Sequence, residues 1–278
     1  MYYISNMGIS VVLPSRNEPY LTKTINDLLT KSTGDIEIIA VLDGVWEKSE
    51  EIVNDKRVRY IHFSQSRGMR AAINAGVAIA QYDYILKCDA HCMFGQGYDQ
   101  ILSKDCEYDW VVVPRRYALD PVKWEIEDNP KYPIDYMYLD NECHGREWRE
   151  KNKDPLLQEK KIDDLMSSQG SCWFMKKSYF NWLELMDEEN YGLFASEFQE
   201  VGLKAWLSGG KVKVNKNTWY AHWHKTVGRG YSLSSKEFEK GNNFALLWKT
   251  QKNWKKQRHE LSWLIDKFKP VPTWNEKT

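Results

Sequence analysis

Polar and apolar positions follow two alternating rhythms along this chain. Short β-favouring runs occur at 9–13, 36–42, 58–62, 84–86 and 110–114, each bounded by proline, glycine or polar residues. Runs of that length and make-up predict strands buried on both faces, as in a parallel sheet. Between them the period changes to 3.6. Leu21, Ile25, Leu28 and Leu29 share one face of a helix over 20–31. Residues 68–80, GMRAAINAGVAIA, predict a helix whose small side chains let it lie close to a sheet, and 47–54 predicts a short polar helix. Alternating strand and helix imply an α/β fold, a doubly wound and mostly parallel sheet with right-handed crossovers. Ligands of such sheets sit outside the carboxyl ends of the strands. Those ends here carry Ser15, Arg16 and Glu18, then Asp43, then Gln65 and Arg67, then Asp89 and His91.

The second half is less regular. Residues 121–165 are rich in Asp, Glu, Trp, Tyr and Pro with weak periodicity, as expected of an insertion that shapes a cleft or of a flexible lid. A short strand over 169–175 has a small-residue entry, and a helix over 194–208 stops at Gly209-Gly210. Two strands are expected over 211–215 and 218–222. Residues 225–235 predict a mobile loop, and 236–268 a basic, aromatic helical stretch.

The 278 residues suffice for one large α/β domain or two small ones, and five cysteines without a CxxC pair suit reduced thiols in a cytoplasmic compartment. No signal peptide or membrane span is expected. A net charge of zero hides an asymmetry: residues 204–278 hold 16 Lys/Arg against 5 Asp/Glu, a net of +11, balanced by −11 over 1–203. A basic quarter on an acidic body points to an anionic partner.

The candidate chemistry centres on Asp89 and His91. Two apart in extended backbone, they point to one side. A carboxylate with an imidazole suits a divalent metal, Mn²⁺ somewhat better than Mg²⁺. A strand-end Asp capping a turn beside a satisfied His is the bland alternative. No Gly-x-Gly-x-x-Gly or Walker motif is present, which argues against a Rossmann dehydrogenase or a P-loop enzyme.

Five segments in order carry a resemblance: VVLPSRNEPYLTKTINDLL, VLDG, CDAHC, ASEFQEVGLKAWLSGG and TWYAHWHK. Together they resemble nucleotide-sugar glycosyltransferases of the GT-A fold, the family 2-like set, in particular the polypeptide N-acetylgalactosaminyltransferases. The likeness spans about 8–231, with 120–165 poorly matched. It implies a GT-A catalytic domain over 1–235, with a donor half (1–120) and an acceptor half (121–235), followed by a basic helical extension over 236–278. It implies that Asp89, His91 and His222 bind Mn²⁺ (or Mg²⁺) with the donor diphosphate. Asp43 would contact the uracil of a UDP-sugar, with Pro14, Ser15, Arg16, Glu18, Arg67 and Gly68 around it. Lys225, Arg229 and Tyr231 would belong to a loop closing over the pyrophosphate. Glu197 would hold sugar hydroxyls, and it or Glu200 could serve as a catalytic base, although the resemblance favours a retaining reaction without an obvious protein base. The chain departs from the family's Gly-Gly-Glu-Asn at Ala195-Ser196 and Phe198.

The acceptor is expected on the side of Gln169 and Trp173. The basic tail, with Lys252, Trp254, Lys255 and Lys256, leans toward a polyanion. Hydroxymethylated DNA bases, which soluble bacteriophage glycosyltransferases modify, are the candidate acceptor. Protein Ser/Thr and polysaccharide acceptors are the alternatives. A nucleotidyltransferase lacks its Gly-rich phosphate loop here, and a sugar- or nucleic-acid-binding module would not need the metal trio.

Overall fold

The computed structural model describes residues 8–46, 52–128, 132–225, 232, 234–250, 252 and 254–274. In chain order they form β1 (Ile9–Ser15), α1 (Leu21–Lys31), β2 (Ile36–Asp43), β3 (Val58–Phe63), α2 (Met69–Ile79), β4 (Tyr84–Cys88), β5 (Cys92–Phe94), α3 (Tyr98–Asp105) and β6 (Trp110–Asp120). Then come β7 (Glu125–Ile126), β8 (Met137–Leu139), β9 (Gly145–Glu147), α4 (Arg149–Lys153), α5 (Pro155–Glu159), β10 (Ile162–Asp164), β11 (Cys172–Lys176), α6 (Lys177–Trp182), α7 (Glu188–Tyr191), α8 (Glu197–Leu207) and β12 (Lys211–His222). The chain closes with α9 (Ser235–Leu246), a 3₁₀ turn (Leu247–Lys249) and α10 (Leu261–Phe268).

One large sheet runs β10-β12-β6-β11-β4-β1-β2-β3, with β5 and β7 paired beside that path. β3, β2, β1 and β4 are mutually parallel, and β12 runs parallel to β6. β11 enters antiparallel between β4 and β6. Every residue of β2 and β4 is buried, which is why they are continuous apolar runs rather than alternating ones. α2 lies on β1 as its small residues require: a Cβ on Gly76 would stand 2.5 Å from Cγ1 of Val12.

Several boundaries differ from expectation. The two strands expected over 211–222 are one, β12, with a register shift between Asn215 and Trp219. The polar helix expected over 47–54 lies partly outside the described residues, and 52–57 form bends and turns. The helical stretch over 236–268 breaks after Lys249. The described residues of 121–165 are folded into the body, with Tyr136, Leu139 and Trp148 in the core. That suits a cleft wall better than a flexible lid. α9, the 3₁₀ turn and α10 share the same core through Ala245, Trp248, Leu264 and Phe268.

Candidate active site

The site forms where the sheet's parallel strands end. β4 stops at Cys88, and Asp89-Ala90-His91 turn the chain into β5. The Asp89 N–H donates to Ser171 O at 2.9 Å, which fixes this turn against the entry to β11. β12 reaches the same place by pairing His222 with Cys92, and the Trp223 N–H donates to His91 O at 3.2 Å. Residues 133 positions apart in sequence therefore converge.

Their geometry is specific. Nε2 of His91 lies 3.1 Å from Nε2 of His222. His222 Nε2 lies 3.2 Å from Asp89 Oδ2, and His91 Nε2 lies 3.8 Å from the same oxygen. One cation shared by the three atoms would account for both short approaches together. Adjacent ligands of a single ion with bonds near ~2.1 Å stand about 3 Å apart, so the trio fits a Mn²⁺- or Mg²⁺-sized site. The supporting contacts agree with this role. The His91 Nδ1–H donates to Glu18 Oε2 at 2.9 Å, leaving Nε2 free to ligate. Burial pushes His222 down to about 3, so its imidazole is neutral and ready to ligate. Burial alone would raise Asp89, but the Lys87 ammonium and His222 hold it well below the usual carboxylate range.

Lys87 is the residue the sequence reading passed over. It is wholly buried in β4. Its ammonium donates to Asp89 Oδ1 at 2.8 Å, Gly170 O at 2.6 Å and Glu197 Oε2 at 3.0 Å. Burial opposes its charge, but the two carboxylates more than offset that and raise its pKa. A lysine in the middle of the run YILKC, two before the aspartate, is the signal that could have found it. Glu197 takes a second hydrogen bond, 2.7 Å from Trp173 Nε1 to Oε1, and burial raises its carboxyl despite both donors. Gly170 permits this packing, since a Cβ there would stand 2.6 Å from Glu197 Oε2. Ser196, at φ +59, holds the strained turn before α8, and its hydroxyl donates to Asn242 Oδ1 at 2.9 Å.

A cleft of about 780 Å³ opens over these groups. On its donor side it is lined by Pro14, Ser15, Arg16, Glu18, Asp43 and Gly68, together with Lys225. Asp43 is buried and receives the N–H groups of Arg67 (2.6 Å) and Gly68 (3.1 Å) and the Ser66 hydroxyl (2.7 Å). Its carboxylate thus also organises the start of α2. The Lys225 ammonium donates to Glu18 Oε1. Arg229 and Tyr231, and most of the loop expected to close over the pyrophosphate, lie outside the described residues. On the far side Arg116, Gln169, Ser168 and His224 complete the wall. Burial, then Arg116, pushes His224 down to about 4.

Other expected residues are placed differently. Glu200 is wholly buried, paired with Arg70 and, at 2.8 Å, with Lys204. It does not line the cleft, so it is a structural anion rather than a base. Arg67 turns its guanidinium onto Phe63, 4.8 Å from the ring centre, and only its backbone serves the site. Trp173 is fully buried, so it positions Glu197 instead of touching an acceptor. Lys252 is exposed. Trp254, Lys255 and Lys256 gather around Glu184, at 2.8, 3.0 and 3.1 Å. Glu184 follows α6, which begins where β11 pairs Lys176 with Tyr84, while the cleft end of β11 pairs Cys172 with Cys88. None of Lys252, Trp254, Lys255 and Lys256 is among the residues that line the cleft.

Comparison with known proteins follows the same lines. Residues 10–183 match the family described as Glycosyl transferase family 2. Glycosyltransferase GlyG of Streptococcus pneumoniae is 28% identical over 183 residues, covering 62% of this chain and 53% of that protein. An uncharacterized glycosyltransferase of Haemophilus influenzae is 40% identical over 88 residues, 30% of this chain and 35% of that one. The chain spans about half or less of the length of these curated relatives. A crystal structure of GalNAc-T7 with UDP, GalNAc and Mn²⁺ superposes with a TM-score of 0.70 at 19% identity, covering 90% of this chain and 49% of that one. S. aureus TarS 1–349 in complex with UDP-GlcNAc superposes with a TM-score of 0.55 at 12% identity, covering 82% and 61%. These likenesses show the GT-A fold.

Proposed function

The chain belongs to glycosyl transferase family 2, and from that premise we propose that it moves a sugar from a UDP-sugar to a hydroxyl acceptor, with a divalent cation bound by Asp89, His91 and His222. The observation that carries this reading is the trio of ligand atoms, all within 4.8 Å of one another, in the floor of a large cleft at the strand ends. In the reaction the bond from the sugar C1 to the β-phosphate oxygen breaks, a bond from C1 to the acceptor oxygen forms, and the acceptor hydroxyl loses its proton. Held by Asp89, His91 and His222, a divalent cation would supply positive charge to the departing diphosphate. Lys225 and Arg16 add further positive charge along the donor side. Glu197, steadied by Lys87 and Trp173, accepts hydrogen bonds from sugar hydroxyls. Asp43 and the loop it organises face the uracil.

Retention of configuration is part of the proposal. The cleft-lining carboxylates among the described residues are Glu18, Asp43, Asp89 and Glu197. Each already accepts from lysine, histidine, indole, hydroxyl or backbone donors. That none is without a donor supports retention, in which the departing phosphate oxygen would take the proton on the face it leaves. We place the reaction in a reducing, cytoplasmic compartment, which five free buried cysteines suit. No described helix is long and apolar enough to cross a membrane. Modified DNA as acceptor rests on the charge of the C-terminal quarter, much of which faces away from the cleft.

The test is metal-dependent release of UDP from several UDP-sugars. It is followed by transfer of labelled sugar to hydroxymethylcytosine DNA, plain DNA and a Ser/Thr peptide mixture, with the product anomer assigned by NMR. UDP release that ignores EDTA would overturn the metal site. An inverted anomer would overturn retention.

A further inference from the structure

Four cationic side chains are buried among the described residues: Arg70, Lys87, Arg116 and Lys204. Three of them pair with carboxylates, Arg70 and Lys204 with Glu200 and Lys87 with Asp89 and Glu197. Arg116 does not. It is 5% exposed, and no described carboxylate lies within the 4.0 Å of an ion pair. Its hydrogen-bond partners are the neutral Gln169 Oε1 and, at 3.5 Å, the Met137 sulfur. Its Nε–H is buried with no partner. A guanidinium stays charged at any working pH, and a buried charge without a counterion is costly. Such a cost is sustained where a ligand supplies the missing anion.

The position of Arg116 says which ligand. It stands on β6 opposite Tyr220 of β12, and Tyr220 is two residues before the metal-ligand candidate His222. It lines the cleft and bonds Gln169 and Met137, and its strand lies on the other side of β4 from β1 and β2, whose ends carry Ser15 and Asp43. We infer that the acceptor carries an anionic group, a carboxylate or a phosphate, which Arg116 grips from the side of the cleft facing the reacting sugar. This rests on the proposed sugar transfer. The guanidinium's planar fork suits either anion as a two-pronged partner, and its Nε–H has no protein partner to give up. Gln169, holding the outer nitrogen, sets the direction of the fork.

The experiment measures binding by calorimetry to protein already saturated with Mn²⁺ and UDP, so that the donor phosphates occupy their own site. The probes are glycerol 3-phosphate, glycerate and glycerol, which share hydroxyls and differ in the anion. Wild type is expected to bind at least one of the two anions ten-fold or more tightly than glycerol, and the stronger of them identifies the acceptor's group. Arg116→Gln should erase that preference, and Arg116→Lys should restore part of it, with near-UV circular dichroism confirming the fold of each. Equal binding of all three probes by wild type would overturn the inference, as would an unchanged preference in Arg116→Gln. So would a variant that loses UDP affinity while keeping the preference, since the charge would then serve the donor. Metal-dependent UDP release by wild type is measured separately. Its failure would remove the transferase reading and leave the anion preference standing.

Discussion

Glu18 is a single carboxylate with two duties. One oxygen accepts from the His91 ring at 2.9 Å and the other from the Lys225 ammonium. The first contact fixes the tautomer that frees Nε2 of His91 for a metal. Glu18→Gln is therefore expected to weaken Mn²⁺ binding about 10- to 100-fold, read by metal titration of the UDP complex. Unchanged affinity would mean that His91 needs no such orientation. Asp89→Asn and His222→Ala should each remove most UDP release while the melting temperature stays near wild type. Near-normal turnover in either variant would put the metal elsewhere. Glu200 should behave in the opposite way. Removing it leaves Arg70 and Lys204 buried without their carboxylate, so Glu200→Ala should cost about 3–5 kcal/mol of stability, read as a lower denaturation midpoint. The fraction still folded should turn over normally, and a folded variant with a hundred-fold lower rate would restore Glu200 as a base. These residues also show what a sequence can disclose. Asp89 and His91 were singled out by their Asp-x-His spacing and His222 by the resemblance, and the fold brings the three together. Glu197 and Glu200 look alike on paper, three apart at the start of one helix, and only the neighbours of each distinguish site from core. Lys87 could have been found from its place two before Asp89, whereas nothing in Arg115-Arg116 says that the first pairs with Asp135 and the second turns to the cleft.

Elements were legible where periodicity was clean. β1, β2, β4, α1 and α2 fall within a residue or two of expectation, since each buries a continuous run or one face. The bulge that joins 211–222 into one strand was not legible, because Lys216-Asn217 resembles a turn until β6 is there to pair with both sides of it. The break after Lys249 is a tertiary matter too. The segment that follows is clasped to the end of α6 by Glu184, which draws in Trp254, Lys255 and Lys256. The Trp254 indole and the two ammonium groups pull the Glu184 carboxyl down to about 2 from an ordinary 4.5. Its folded value is depressed, so its stabilisation is complete above pH 4.5 and is lost as pH falls toward 2. Because this carboxylate is partly exposed, screening holds the gain to under about 1 kcal/mol. Glu184→Gln should thus lower stability slightly at pH 7, with the gap closing as pH drops below 4.5. Parallel urea titrations at several pH values would show it. A gap that is constant with pH would mean that the clasp is held by the indole and packing, not by charge.

On the scale of the whole molecule, the C-terminal quarter divides between two tasks that its charge alone did not reveal. Its lysines mostly face solvent or Glu184, whereas its apolar residues complete the core. Trp248, Leu261, Leu264, Ile265, Phe268 and Val271 are all buried there, and the rings of Trp263 and Phe268 lie 6.4 and 5.6 Å from that of Trp206 on α8. Each large apolar side chain buried is worth about 1.5–3 kcal/mol, so these six together contribute roughly 9–18 kcal/mol before entropy is charged against them. A domain's whole net stability is about 5–15 kcal/mol. The same quarter also shapes the cleft: Phe238 and Asn242 line it, and Asn242 anchors Ser196 just before Glu197. Ending the chain at residue 235 is therefore expected to abolish fixed packing rather than trim an appendage. The shortened protein should lose its near-UV circular dichroism, bind a hydrophobic dye and fail to bind UDP with Mn²⁺, even though every metal-ligand candidate remains in it. The chain of 278 residues with Lys252, Lys255 and Lys256 reversed to glutamate supplies the control, because it alters the charge of this quarter and leaves its apolar contacts alone. It should keep a cooperative transition and UDP binding. A shortened chain that still unfolds cooperatively and binds UDP would make residues 236–278 a separable extension and would overturn this account of the core.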